Sequence, residues 1–238
     1  SRRGAGSWTT LPGGHKVASS GLWTPQDDLD MIDLGCAALA APPEVMPAAA
    51  AAAQGLSRYL SGAGYHPTGI IELREAVARG YTERGLATSP DQIMVTSGTQ
   101  HALDLVLRLM APPGAPVLLE SPTYPNALAA LSARRARIAT HGLDNDDGWD
   151  ADLLLDGLRQ TRPRLAYLIP EFQNPTGHLM PAGLRERVVA AAHAAGTDLV
   201  IDESFVDLPL DGTEVPPPVA CYDRHSRVVS IGGMSKAY

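Results

Sequence analysis

The chain has 238 residues, 45% of them hydrophobic and 19% charged, with a formal net charge of −7. That balance sustains a sizeable core in one large domain or one and a fraction, and excludes a mainly disordered chain. The negative charge excludes this segment as a nucleic-acid surface, which needs clustered positive charge, so any DNA contact has to come from elsewhere.

The first 60 residues are loop-rich and then alanine-rich. APPEVMPAAAAAAQGLSRYL begins with turn chemistry and predicts a helix from about Pro47. SGAGYHPTGI is a Gly/Pro loop, and a helix follows from about Glu72, where Leu73, Val77 and Tyr81 recur at four-residue spacing. A regular alternation comes next. QIMVTSG reads as a strand and TQHALDLVLRLM as an amphipathic helix; APVLLE is a strand, YPNALAALSARR a helix and ARIAT a strand. ADLLLDGLRQ is a helix, RLAYLIP a strand and AGLRERVVAAAHAAG a helix, and DLVIDES and RVVSIGG are the last strands. Strands alternating with helices over short connections predict an α/β fold with a mostly parallel sheet and helices on both faces. In such a sheet ligands bind beyond the carboxyl ends of the strands.

The residues that follow each strand are therefore the candidates. Thr96-Ser97-Gly98-Thr99-Gln100 opens a helix, and its free N–H groups, helix dipole and hydroxyls suit a phosphate; taken alone it also reads as an ordinary N-cap. Ser121-Pro122-Thr123-Tyr124-Pro125-Asn126 brings an aromatic ring to the same rim, as packing or as a stacking surface. Glu171-Phe172-Gln173-Asn174-Pro175-Thr176-Gly177 is a turn with an amide able to donate or accept. Asp202-Glu203 puts a carboxylate at the end of an apolar strand, where burial is costly unless a cation or donor meets it. Ser235-Lys236 follows the last strand. The 19 basic residues comprise 17 arginines and only two lysines, Lys16 and Lys236, so a lysine kept at that position reads as one needed for its amine. A phosphate turn, an aromatic, an amide, a carboxylate and a lysine on successive strand ends assemble one site for one charged heteroaromatic ligand.

In this order SGTQ, SPTY, NPTG, the strand-end Asp and SK resemble the large domain of the fold type I pyridoxal-phosphate enzymes, the aminotransferase class I/II type, over roughly residues 30–238. The resemblance implies pyridoxal 5'-phosphate as cofactor. Ser97, Gly98, Thr99 and Gln100 would hold its phosphate, Tyr124 would stack on the ring, Asn174 would bond the phenolic oxygen, and Asp202 would pair with the protonated ring nitrogen. Lys236, with Ser235 beside it, would carry the Schiff base and, once freed, move a proton for an amino-acid substrate. Tyr65, in the GYHPTG loop, would reach the phosphate in the partner subunit of a homodimer. The catalytic set so implied is Lys236, Asp202 and Tyr124.

Three departures matter. Family members carry a tyrosine two or three residues after the Asp, where this chain has Ser204 and Phe205. Gly233 stands where a phosphate-binding Ser is common. The arginine and antiparallel strand that come after the lysine in the family, and the small domain beyond, are not within these 238 residues, so the sequence predicts a large domain incomplete at its C-terminus and chain ends that read as cuts.

At the other end, SRRGAGSW resembles the last strand and wing of a GntR-type winged helix, and TTLPGGHK the start of a linker, giving a residue 1–29 segment before the domain. In the MocR branch such a DNA-binding domain is fused to an aminotransferase-like sensor. Two readings stand: the domain of a MocR-like regulator that binds an amino-acid or amine effector, and a free-standing amino-acid aminotransferase acting on a 2-oxo acid. A third is a decayed domain kept for dimerisation. No apolar run reaches the roughly 18 residues of a membrane helix, and the N-terminal residues lack the charged, apolar and small-residue succession of a signal peptide, so the cytoplasm is expected. Cys36 and Cys221 lack metal-type spacing and read as buried free thiols, and His101, His178 and His193 are too scattered to suggest a metal site.

Overall fold

The computed structural model describes Thr9–Thr10, Lys16–Val17 and residues 39–237 apart from 145, 147 and 211. The chain divides into two compact units, Ser1–Ala40 and Ala41–Tyr238. In the first, β1 (Thr9–Thr10) pairs antiparallel with β2 (Lys16–Val17), within the segment read as a linker. The winged-helix reading of residues 1–8 and the thiol reading of Cys36 lie outside the described residues.

The second unit runs α1 (Val45–Gly55), α2 (Ile71–Glu83), α3 (Thr99–Met110), β3 (Pro116–Ser121), α4 (Pro125–Ala133), β4 (Arg137–Asp144), β5 (Gly148–Trp149), α5 (Ala151–Thr161), β6 (Leu165–Leu168), α6 (Ala182–Ala195), β7 (Asp198–Asp202) and β8 (Val228–Ile231). The sheet order is β5-β4-β3-β6-β7-β8, parallel throughout except for β5 against β4. The central strands are apolar on both faces because both are covered. Val117, Leu119, Leu165, Tyr167 and Val200 pack in one core with Leu103 and Leu107 of α3 and Ala127 and Leu131 of α4. Their neighbours in sequence, Leu118, Ala166, Leu199 and Ile201, pack in the other with α5 and α6 through Leu154, Leu158 and Val188. This alternation follows the strand period of two, and each such fully buried leucine contributes about 1.5–3 kcal/mol.

Three elements differ from the sequence reading. Helix α1 starts at Val45 rather than Pro47, because proline is tolerated in a first turn whose N–H groups lack helical partners anyway. Strand β4 continues past Thr140 to Asp144, since His141 and Gly142 remain in register with Glu120 and Ser121 and the next two residues pair with β5. QIMVTSG is not a strand. Pro90–Gln92 form a 3₁₀ turn and residues 93–96 belong to no strand; beyond local turn bonds, Val95 N–H donates to the Thr68 carbonyl at 3.0 Å. An extended run becomes a strand only where a neighbour takes its alternate backbone groups, and on this side the sheet order ends at β8.

Candidate active site

The helix that follows this run sets one wall of the site. Gly98 lies at φ 86°, a conformation open to glycine and costly for other residues, and it turns the chain into α3. No side chain caps that end, so the first N–H groups of α3 face outward with the positive end of the helix dipole. The turn is shaped internally: Thr96 Oγ1 donates to the Gly98 carbonyl at 3.1 Å and the Ser97 N–H to His101 Nδ1 at 3.1 Å. Ser97, Gly98 and Gln100 are exposed. The loop after β8 closes on the same end of α3, where a Cβ on Gly233 would lie 2.7 Å from Thr99 Oγ1. A side chain at that position would require the Thr99 hydroxyl to move.

Asp202 ends β7 and is 5% exposed. Its Oδ2 accepts from the Tyr167 hydroxyl at 2.6 Å; its Oδ1 accepts from the Ser204 N–H at 3.0 Å and the Ser204 hydroxyl at 2.6 Å. Burial and the Asp202 charge hold the Tyr167 phenol well above its ordinary pKa, so it stays a donor. Ser204 Oγ also lies 3.3 Å from Thr99 Oγ1, which joins the carboxylate to the α3 turn through hydroxyls. The next residue, Glu203, is tied separately: Arg84 Nη1 and Ser230 Oγ donate to its two carboxylate oxygens at 2.9 and 2.8 Å.

Beyond β3, Tyr124 is half-buried at the start of α4 and packs against the core that contains Tyr167. Its hydroxyl accepts from Asn126 Nδ2 at 2.8 Å. Asn174 is half-buried in the turn after β6. Between these two loops lies a buried polar crosspiece. Glu120 Oε1 accepts from Trp149 Nε1 at 3.2 Å and the Ile169 N–H at 3.1 Å, and Oε2 from Gln173 Nε2 at 3.1 Å. Gln173 Nε2 also donates to the Pro122 carbonyl at 2.9 Å, while its Oε1 accepts from the Thr176 N–H and hydroxyl at 3.0 and 2.8 Å. Burial pushes the Glu120 carboxyl up to about 7, against the hydrogen bonds from Gln173, Ile169 and Trp149 that favour its charge. His141, opposite Glu120 in the β3–β4 register, has neither ring nitrogen hydrogen-bonded, and burial holds it down at about 4, so it is neutral.

Lys236 is half-buried, and its Nζ lies 5.8 Å from the centroid of the Phe205 ring, within cation–π reach. Ser235 is exposed. Tyr65 is 87% exposed. Thr99, Asp202 and Gly233 are thus joined directly or through Ser204; Lys236 shares Phe205 with the strand-end segment that begins at Asp202; Tyr124 and Asn174 are connected through Gln173. Tyr65, like Ser97, Gly98, Gln100 and Ser235, faces solvent. Sequence reasoning missed the roles of Tyr167, Ser204, Glu120 and Gln173, of which only Glu120, a charge closing an apolar run, carried a visible signal. Among the described residues no three His, Cys, Asp or Glu side chains are grouped to hold a metal ion.

The family model for aminotransferase class I and II matches residues 30–238. The 2-aminoadipate transaminase of Thermus thermophilus is 35% identical over 175 residues, 72% of this chain and 43% of that protein. The uncharacterized HTH-type transcriptional regulator YdcR of Escherichia coli is 32% identical over 170 residues, 71% of this chain and 36% of that protein. The chain therefore spans less than half the length of these curated relatives. Among solved structures, LysN, an alpha-aminoadipate aminotransferase from Thermus thermophilus complexed with N-(5'-phosphopyridoxyl)-L-leucine, is 34% identical with a TM-score of 0.69, covering 84% of this chain and 52% of that one. The multiple substrate aminotransferase of Thermococcus profundus superposes with a TM-score of 0.72 at 28% identity, over 92% of this chain and 59% of that one. With the family model matching most of its length and its strand-end residues gathered as described, this chain belongs to the aminotransferase class I and II family.

Proposed function

We propose that this chain is the pyridoxal-phosphate-binding, effector-sensing domain of a MocR-like transcription regulator. The cofactor is the one indicated by family membership and by a neighbour solved with a phosphopyridoxyl ligand. The observation that carries the cofactor half of the reading is the state of Asp202, and the similarity to HTH-type transcriptional regulators supports the regulator half. A carboxylate offers roughly four acceptor sites; three neutral donors fill three of them, leaving one acceptor site and a buried negative charge with no cation among those donors. A protonated pyridine nitrogen supplies the missing donor and the missing charge, so the residues present fit the group.

When bound, the cofactor supplies an electron sink for a bond broken at the Cα of an amino-acid ligand. Asp202 keeps the ring nitrogen protonated. The open N-terminus of α3, with Ser97, Gly98, Thr99 and Gln100, holds the phosphate. Tyr124 supplies the stacking surface, and Asn174 a hydrogen bond to the phenolic oxygen. Lys236, next to Ser235, would hold the group covalently through Nζ, and its amine is the base that would move a proton at the ligand's Cα. Phe205 offers no O–H in place of the phenol expected after Asp202, which supports a site that exchanges its amine more readily than it turns over.

In this reading the protein is a cytoplasmic homodimer, with Tyr65 reaching the partner's site. DNA is bound through a winged-helix domain outside this chain. Among the described residues no helix is long and apolar enough to cross a membrane. The similarity to a 2-aminoadipate transaminase favours a second reading, a free-standing amino-acid aminotransferase. The test is to load the intact protein with pyridoxal phosphate and add amino acids with a 2-oxo acid. The regulator reading expects a saturable spectral change with at most stoichiometric product; many turnovers per site would assign catalysis instead.

A further inference from the structure

The crosspiece beneath the two ligand loops belongs to no role assigned above. Gln173 is 1% exposed, and its side-chain amide makes four hydrogen bonds, each to a different group. Two run toward β3 and the loop after it, to Glu120 Oε2 and the Pro122 carbonyl; two run into its own turn, to Thr176. Pro122 stands two residues before Tyr124, and Asn174 is bracketed by Gln173 and Thr176. The far end is anchored too, since Glu120 is held by the Trp149 indole of β5 and the Ile169 N–H after β6. A buried amide with every hydrogen bond made to a rigid neighbour fixes the loops that carry it. Those two loops carry the residues assigned to the ring face and the phenolic oxygen.

Resting on the proposed cofactor site, we propose that Gln173, held by Glu120, is a positioning residue that sets the spacing between the Tyr124 loop and the Asn174 loop, and hence the slot that receives the cofactor ring. It touches no cofactor atom in this account. Its effect is transmitted through Pro122 on one side and Thr176 on the other.

The test uses the intact protein and reads three quantities: the affinity for pyridoxal phosphate, the position and pH dependence of the visible band, and the circular dichroism of the cofactor-free protein. Gln173→Met keeps the volume and removes all four hydrogen bonds. It is expected to keep the fold, to weaken cofactor binding about tenfold or more, and to shift the band. A second comparison stands if that variant does not fold. Thr176→Val removes the hydroxyl that donates to Gln173 Oε1 at near-constant volume, and Thr176→Ser keeps it. The valine variant is expected to weaken cofactor binding and shift the band, and the serine variant to retain both. Unchanged affinity and band in Gln173→Met, or a valine variant that binds like the serine one, overturns the positioning role. Absence of any band in the unmodified protein overturns the cofactor reading itself, so the two failures are distinguishable.

Discussion

The buried Glu120 makes the stability of this domain depend on pH in a direction opposite to that of ordinary paired carboxylates. Burial raises its carboxyl from 4.5 to about 7 in the folded chain. Between those values the folded protein holds a proton that the unfolded chain has released, so stability is greatest below about pH 4.5, falls as pH rises through the folded value, and levels off above it. A shift of that size corresponds to about 3 kcal/mol, at roughly 1.4 kcal/mol per unit, as an upper bound. The perturbation is Glu120→Gln, which removes the titration and keeps the volume. Because it faces the Gln173 amide with another amide, the variant carries a pH-independent offset of about 1–3 kcal/mol. The readout is therefore slope rather than midpoint: urea unfolding free energies of both proteins between about pH 5 and about pH 8. Glu171 is raised to about 7 by burial as well, and taking the difference between the two proteins cancels its contribution. The unmodified protein is expected to lose stability relative to the variant by about 2–3 kcal/mol across this range. Parallel profiles would refute the reasoning, and with it the claim that burial outweighs the three hydrogen bonds.

Two further outcomes are expected. Tyr167→Phe removes a 2.6 Å donor from a buried carboxylate and should cost about 1.5–3 kcal/mol in urea unfolding; an unchanged midpoint would mean that Asp202 finds another donor. Arg185 and Glu171 are both fully buried and paired, with Arg185 also donating to the Met180 and Pro217 carbonyls. Arg185→Met should cost about 3–5 kcal/mol, and most of that loss should return in the double variant with Glu171→Met, because the cost lies in the buried carboxyl left without its partner. A double variant as unstable as the single one would place the loss in packing instead.

The repeated strand–helix pattern was legible because each half of the βα unit has its own period, and the residues after β3, β6, β7 and β8 follow from the rule for parallel sheets. What escaped was whatever depends on partners distant in sequence. QIMVTSG has the composition of a strand, but a ladder needs a neighbour, and one carbonyl from Thr68 does not make one. The Glu120–Gln173 bond joins residues 53 apart, and no local pattern announces it. The Ser204 hydroxyl looked like a missing phenol, whereas its position against Asp202 and Thr99 makes it a link between the carboxylate and the phosphate turn. Trp149 stands in the acidic stretch DNDDGWD, where nothing local marks it, and β5 turns its indole onto Glu120.

The central claim is that Lys236 holds the cofactor in a slot ordered around Asp202. Pyridoxal phosphate added to the intact protein, followed by borohydride reduction and peptide mass analysis, tests it most directly. The account predicts a visible band in the unmodified protein, a phosphopyridoxyl group on the peptide containing Lys236, and loss of both in Lys236→Ala. The same band and a reduced adduct elsewhere in Lys236→Ala would contradict it.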